Sequence, residues 1–298
     1  MTNSERKGTG LFFGIAAYTI WGLLPLFWHY LHKASAFEIL AHRGVWSLLL
    51  CVILLAFLKK LKGTIAIFRQ PRTLALLALT SFLLTINWGV YIWSVSVNRI
   101  VEASLGYYIT PLVSVTFGVL VLRERLRRMQ WIAVSIAAIG VFTLTFEYGA
   151  FPWIAFVLAV TWSSYSLLKK ALQLGALEGI SIETLFALLP NLVYLTLIES
   201  QHRAQFGLSL GFSVLLAFAG VATVIPLLLF NGATTRLPLT MTGLLQYITP
   251  TIMFMVGTLI NHEPMPAGRA IGFGLIWIAL IFLGADLVKS NRTTASAL

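Results

Sequence analysis

Ten apolar stretches, joined by short polar links, run through this chain of 298 residues. They fall near 11–31, 38–58, 74–95, 101–122 and 130–146, then near 151–168, 181–198, 211–232, 240–261 and 268–286. A helix rises about 1.5 Å per residue, so runs of this length match a hydrocarbon layer about 30 Å thick. Inside that layer no water is present to satisfy backbone N–H and C=O groups, which leaves helices or closed β-barrels as the spanning structures. The strict apolar–polar alternation of barrel strands is missing, so the expected fold is all-α, an integral membrane protein of ten transmembrane helices.

Composition agrees. Hydrophobic residues make up 58% of the chain, charged residues only 10%, and the mean hydropathy is +0.88; a soluble domain carries roughly 25% charged residues. The net charge of +11 would suggest nucleic acid in a soluble protein. Here the cations sit in clusters between apolar runs, which points to membrane topology instead. Cys51, the single cysteine, lies within an apolar run and reads as a small core hydrophobe. Arg6 and Lys7 precede an apolar stretch too long for a cleaved leader, so the first run is expected to remain as a span.

The chain also repeats itself. Tyr-Ile-Thr-Pro occurs at Tyr108 to Pro111 and again at Tyr247 to Pro250, an offset of 139 residues (247 − 108). Gly118 with Gly257, and Glu124 with Glu263, share that offset. An offset near half the length, with several features in register, indicates duplication of one unit. The expected units are residues 9–146 and 150–287, five helices each.

Charge asymmetry tests this reading. From a cytoplasmic N-terminus, sixteen of the 21 Lys and Arg residues fall on the cytoplasmic side, four on the far side (Lys33, Arg99, Arg203, Arg269), and Arg43 lies within a span. A unit with an odd number of spans must enter the membrane upside down in its second copy, so matching loops should reverse their charge. Arg123 to Arg128 holds four arginines, whereas the matching loop at 262–269 keeps only Arg269. Inverted-topology repeats are a transporter architecture, with the substrate site near the midplane between halves.

Ionisable groups inside spans are costly and therefore functional candidates. His42 and Arg43 lie in the second span. Arg43 either pairs with Glu38 or Glu102 or snorkels toward the interface, or else lines a cavity and holds an anionic group or answers a proton-coupled carboxylate. Glu102 and Glu183 open the fourth and seventh spans, each readable as a helix-terminus carboxylate or as a gate or coupling group. Asn87 with Trp88, and Gln246 with Tyr247, fall at mid-span, where amides either bind substrate or join helices. Tyr107 is a further candidate for the cavity wall. Pro111 and Pro250 remove a backbone donor at matching positions and are expected to kink their spans as hinges. The chain carries no nucleophile elbow, zinc-protease or phosphate-loop motif and no cysteine pair for a metal, so no catalytic residue, metal or cofactor is assigned.

Several segments resemble one family. Tyr18 to Pro25, Glu38 to Arg43 with Trp46, Asn87-Trp88, Glu102 to Tyr107 with Pro111, Glu124-Arg125, Arg128 to Trp131, and Gln246-Tyr247 with Pro250 are similar to the RarD branch of the EamA-type transporters, in the drug/metabolite transporter superfamily. The resemblance spans almost the whole chain and implies a ten-helix carrier of the bacterial inner membrane with two EamA repeats around a central cavity. Two positions depart from the pattern: Thr110-Pro111 stands where the family usually has Asn-Pro, and Arg123-Glu124 where it has Gly-Glu.

The expectation is a secondary carrier exporting small amphipathic or amino-acid-like solutes by alternating access, with an intramembrane enzyme or a non-transporting receptor as alternatives. Its partners would be a small-molecule substrate and the lipid bilayer, with protons and a homodimer allowed but not required, and nucleic acid excluded. Both termini are expected in the cytoplasm. Alkaline phosphatase fused after Leu298 should therefore be inactive and a fluorescent protein fused there should glow; the reverse would break the even span count.

Overall fold

The computed structural model describes residues 3–96, 100–148 and 153–255, and beyond these only 268, 271, 272, 274, 275, 277–279, 281 and 282. Every element among the described residues is a helix. In order they are α1 (Asn3–His29), α2 (Ala36–Phe57), α3 (Leu61–Ile67), α4 (Pro71–Ser96), α5 (Ile100–Leu120), α6 (Arg128–Tyr148), α7 (Trp153–Leu172), α8 (Ala176–Ser200), α9 (Leu210–Thr234), α10 (Leu239–Leu245) and α11 (Ile248–Met255). Five of them carry stretches long and apolar enough to cross a membrane, within α1, α2, α4, α8 and α9, and Leu105–Leu120 and Arg128–Thr143 are shorter apolar helices. Phe82, Phe142, Leu189 and Leu210 stand exposed on the outer surface, where apolar side chains suit lipid tails rather than water.

Two elements depart from the sequence expectation. The polar link after α2 contains the short helix α3, and the ninth span is broken into α10 and α11. Pro250 explains the break. It has no N–H to give the carbonyl of Gln246, so the chain tightens into shorter turns: Tyr247 N donates to Leu244 O at 3.3 Å and Thr249 N to Gln246 O at 3.2 Å. Pro111, at the matching position, stays within an unbroken α5. Proline also occurs inside α8 (Pro190) and α9 (Pro226). Only scattered residues of the expected tenth span are described, all helical, and Gly257 and Glu263 lie outside the described residues.

Polar groups fix the ends of the helices. Ser35 caps α2 by accepting from Glu38 N at 3.1 Å, and Ser209 caps α9 by accepting from Phe212 N at 3.3 Å. The Glu38 carboxylate does not reach back to its own helix; it accepts from Gln205 N (2.7 Å) and Phe206 N (3.3 Å), tying down the α8–α9 link. At the end of α5, Arg123 adopts a left-handed φ of 55°, and Glu124 N returns to Gly118 O at 2.9 Å. That turn delivers the Glu124 carboxylate to Leu239 N (2.7 Å) and Thr240 N (2.9 Å), the first free donors of α10. A carboxylate from the first half of the chain thus starts the broken helix of the second.

Packing across the seam is reciprocal. α1 lies against α9 and α11, while α7 lies against α4 and α5; α2 meets α8 and α9, and α8 meets α2 and α4. This is the pattern two related halves facing each other would give. Small residues allow the approach. A Cβ on Gly220 of α9 would meet the Trp46 carbonyl carbon at 2.6 Å and Ser47 N at 2.8 Å, both backbone atoms that cannot swing aside. Gly220→Val should therefore destabilise the protein by about 2 kcal/mol, read as a lower melting temperature in detergent, whereas Gly8→Ala, with open space around it, should change nothing.

Candidate substrate cavity

Between the halves lies a cavity of about 300 Å³. Its walls come from the second half of α1 (Tyr18, Trp21, Leu24, Trp28), Arg43 of α2, Asn87, Trp88 and Tyr91 of α4, Tyr107 and Thr110 of α5, Leu158 and Trp162 of α7, and Gln246 and Thr249 at the break in the ninth span. The positions on α1 recur every three or four residues, which places them on one face of a helix.

Arg43 is the charge in this cavity. Its guanidinium lies 4.4 Å from the centre of the Trp88 ring and 5.0 Å from that of Trp28, and its Nε donates to Thr223 Oγ1 at 2.9 Å. Among the described residues no carboxylate pairs with it: Glu38 is engaged by the Gln205 and Phe206 backbone, and the side chain of Glu102 lies outside the described residues. Indole faces attract a cation without neutralising it, so the guanidinium keeps free donors for an anionic group.

The amides play two parts. Asn87 Nδ2 donates to Leu158 O and to Thr161 Oγ1, both at 2.9 Å, so it joins α4 to α7 while lining the cavity. Gln246 is buried, with neither amide nitrogen nor oxygen hydrogen-bonded. An unmatched buried amide beside a cavity is a group held ready for a ligand or water. In an unbroken helix the carbonyls of Tyr107 and Gln246 would accept from residues 111 and 250, both prolines; at Gln246 the carbonyl accepts from Thr249 N instead, at 3.2 Å.

Below the cavity the aromatic rings close on each other. Trp21 meets Trp162 edge-on with centroids 5.2 Å apart, and both pack on the fully buried Phe230 with Tyr18 and Tyr165. Beyond Trp88 a smaller void of about 50 Å³ runs from Arg43 to Glu183. Glu183 accepts from Thr80 Oγ1 (2.7 Å), Lys169 Nζ (3.1 Å) and Tyr165 OH (3.3 Å), and Lys169 and Glu183 are both almost wholly buried. Arg43 and Glu183 are each the eighth residue of their helices, α2 and α8.

The remaining candidates sit elsewhere. His42 stacks on Phe206 at 4.7 Å beneath the α8–α9 link, its Nε2 unpartnered, and does not line the cavity. Successive residues on a helix point about 100° apart, so His42 and Arg43 face different neighbours. Tyr247 is fully buried in an apolar cluster with Tyr108, Val115 and Leu244. Pro250 lies in the first turn of α11, where its missing N–H is tolerated. Sequence reasoning passed over Tyr18, Trp28, Tyr91, Trp162 and Lys169. The α1 stripe was visible as spacing, whereas Lys169 reads as a loop cation unless α7 is known to run on to Leu172.

Comparison with known proteins agrees with this architecture. The model of the EamA-like transporter family matches residues 8–146. Protein RarD of Streptomyces exfoliatus is 44% identical over 299 residues, covering 100% of this chain and 95% of that protein. The uncharacterized transporter YojE of Bacillus subtilis is 41% identical, covering 99% and 100%, and Protein RarD of Escherichia coli is 36% identical, covering 98% and 99%. One crystal structure shares the fold with a TM-score of 0.71 at 20% identity, covering 93% of this chain and 97% of that one. The chain is a multi-pass bacterial membrane transporter of the drug/metabolite transporter superfamily. Within it, the chain belongs to the EamA-like family and to the group of RarD proteins.

The buried Lys169–Glu183 pair makes a quantitative prediction. Lys169→Met alone strands a buried carboxylate and should cost about 3 kcal/mol. Adding Glu183→Gln should recover most of that loss in thermal unfolding, and a second loss of equal size would mean the two groups do not interact.

Proposed function

We propose that the chain is a secondary carrier that moves small amphipathic solutes bearing an anionic group, such as amino-acid-like metabolites, through the cavity between its halves by alternating access. Arg43 carries the reading. It is a half-buried cation between two indoles, with donors to spare, in a cavity whose other walls are mainly aromatic with two amides. In this account Arg43 binds the anionic end, the rings of Trp21, Trp28, Tyr91, Tyr107 and Trp162 cover the apolar body, and Gln246 orients a polar substituent.

The two halves, 9–146 and 150–287, act as inverted repeats, and the rings around Phe230 close one end of the path. Glu124 and Lys170 latch the same end: Lys170 Nζ donates to Leu237 O at 2.5 Å and lies 3.8 Å from Glu124 Oε1. Exchange requires those contacts to part while the opposite end closes, with Pro111 and Pro250 as hinges. Glu183, beside Lys169 and joined to Arg43 by the small void, is the described group suited to coupling with protons; Glu102 is the second candidate. Transport runs outward across the inner membrane, with both termini in the cytoplasm. The enzyme alternative needs His42 and either Glu102 or Glu183 to converge on a serine; the side chain of Glu102 lies outside the described residues, and His42 and Glu183 sit against different partners, Phe206 and Lys169.

Proteoliposome flux of radiolabelled amino acids and aromatic carboxylates tests this. Arg43→Gln should lower flux at least about tenfold without lowering melting temperature, and Arg43→Lys should restore little because an ammonium lacks the planar fork that stacks between indoles. Undiminished flux in Arg43→Gln would remove Arg43 from the site.

A further inference from the structure

Asn231, in the last turn of α9, is 2% exposed, yet neither its amide nitrogen nor its carbonyl oxygen has a hydrogen-bond partner. It lines a second pocket, of about 560 Å³, that shares no lining residue with the central cavity. The start of α1 (Arg6, Phe13), the α7–α8 link (Gln173 to Gly175) with Ala176 of α8, and the end of α9 with Arg236 enclose it.

Its charge has one sign. The lining includes two guanidinium groups, Arg6 and Arg236, and no carboxylate. Arg236 rests over the Phe13 ring at 5.3 Å and donates from Nη1 to Gly232 O at 2.9 Å and Thr235 Oγ1 at 3.5 Å, leaving Nε and Nη2 free. Arg6 spends one weak bond, from Nη2 to Thr235 O at 3.3 Å. Glu178 of α8 is paired through Oε1 with Lys60 at 2.9 Å, while its Oε2, with no hydrogen-bond partner, lies against Gly175 of the lining. Two guanidinium groups with donors left over and an unmatched amide converge on a volume that no described residue fills.

We propose that this pocket is a second ligand site, distinct from the transport cavity, that takes a phosphate-bearing anion. A phosphate offers acceptors in several directions at once, which suits two guanidinium groups bidentately and leaves an oxygen for Asn231 Nδ2. The same chemistry is presented by a soluble phosphate compound and by a phospholipid headgroup. The inference does not depend on what the central cavity carries.

The test uses the full chain and native mass spectrometry. One arm titrates inorganic phosphate into lipid-free detergent micelles; the other compares nanodiscs of phosphatidylcholine with and without phosphatidylglycerol. Binding of phosphate in micelles assigns a soluble ligand, and selective retention of phosphatidylglycerol assigns a lipid headgroup. In whichever arm binds, Arg6→Gln and Arg236→Gln should each weaken it about tenfold, and Asn231→Leu should weaken it as well. Arg6 is exposed, so its variant keeps the fold and the measurement interpretable. Failure of both probes to bind, or wild-type binding in both arginine variants, would overturn the proposal.

Discussion

A guanidinium inside a membrane protein is costly, and Arg43 is held there by ring faces and one hydroxyl with no described carboxylate to neutralise it. Much of the architecture serves that placement. Trp28 comes from α1, Trp88 from α4 and Thr223 from α9, so three helices from both halves must meet around α2 before the charge is tolerable. The backbone contact of α2 with Gly220 sets the distance at which Thr223 can reach Nε, since both residues sit on α9 one turn apart.

The same seam explains why the cavity exists. Helices that pass close at Gly220 and at Gly106, where a Cβ would meet Ala155 backbone at 3.1 Å, diverge where α1, α4, α5 and α7 carry large rings instead. Those rings line a void rather than fill it, and the break in the ninth span puts Gln246 and Thr249 into its wall. Glu124 stabilises the broken segment by capping α10. One carboxylate at the end of α5 therefore supports a wall of the cavity two turns away.

Much of this was legible in the sequence, and the failures have physical causes. The spans declared themselves because a bilayer selects for length and apolarity alone: α2, α4, α5, α6, α7, α8 and α9 fall within about five residues of the expected runs, whereas α1 begins eight residues earlier and the ninth run is broken into α10 and α11. Arg43, Asn87, Trp88, Tyr107 and Gln246 line the cavity because polar or aromatic residues at mid-span stand out against an apolar background. His42 does not, since being next to Arg43 in sequence puts it about 100° around the helix. Pro250 signalled a disturbed helix but not that the disturbance would open four residues earlier, where its missing donor is felt. Lys169 was hidden because a lysine near a span end reads as its boundary, and only the partner Glu183, on another helix, shows that it is buried.

The account stands on the void between the halves being a water-filled path rather than packed protein. Cys51 is the lone cysteine and is buried, so Cys51→Ser gives a background for single cysteines. Reaction of Leu24→Cys and Leu158→Cys with a charged, membrane-impermeant thiol reagent measures it directly. The account predicts fast labelling at both cavity positions and none at Phe82→Cys, which faces outward from α4. Labelling at Phe82 with none at Leu24 or Leu158 would contradict it.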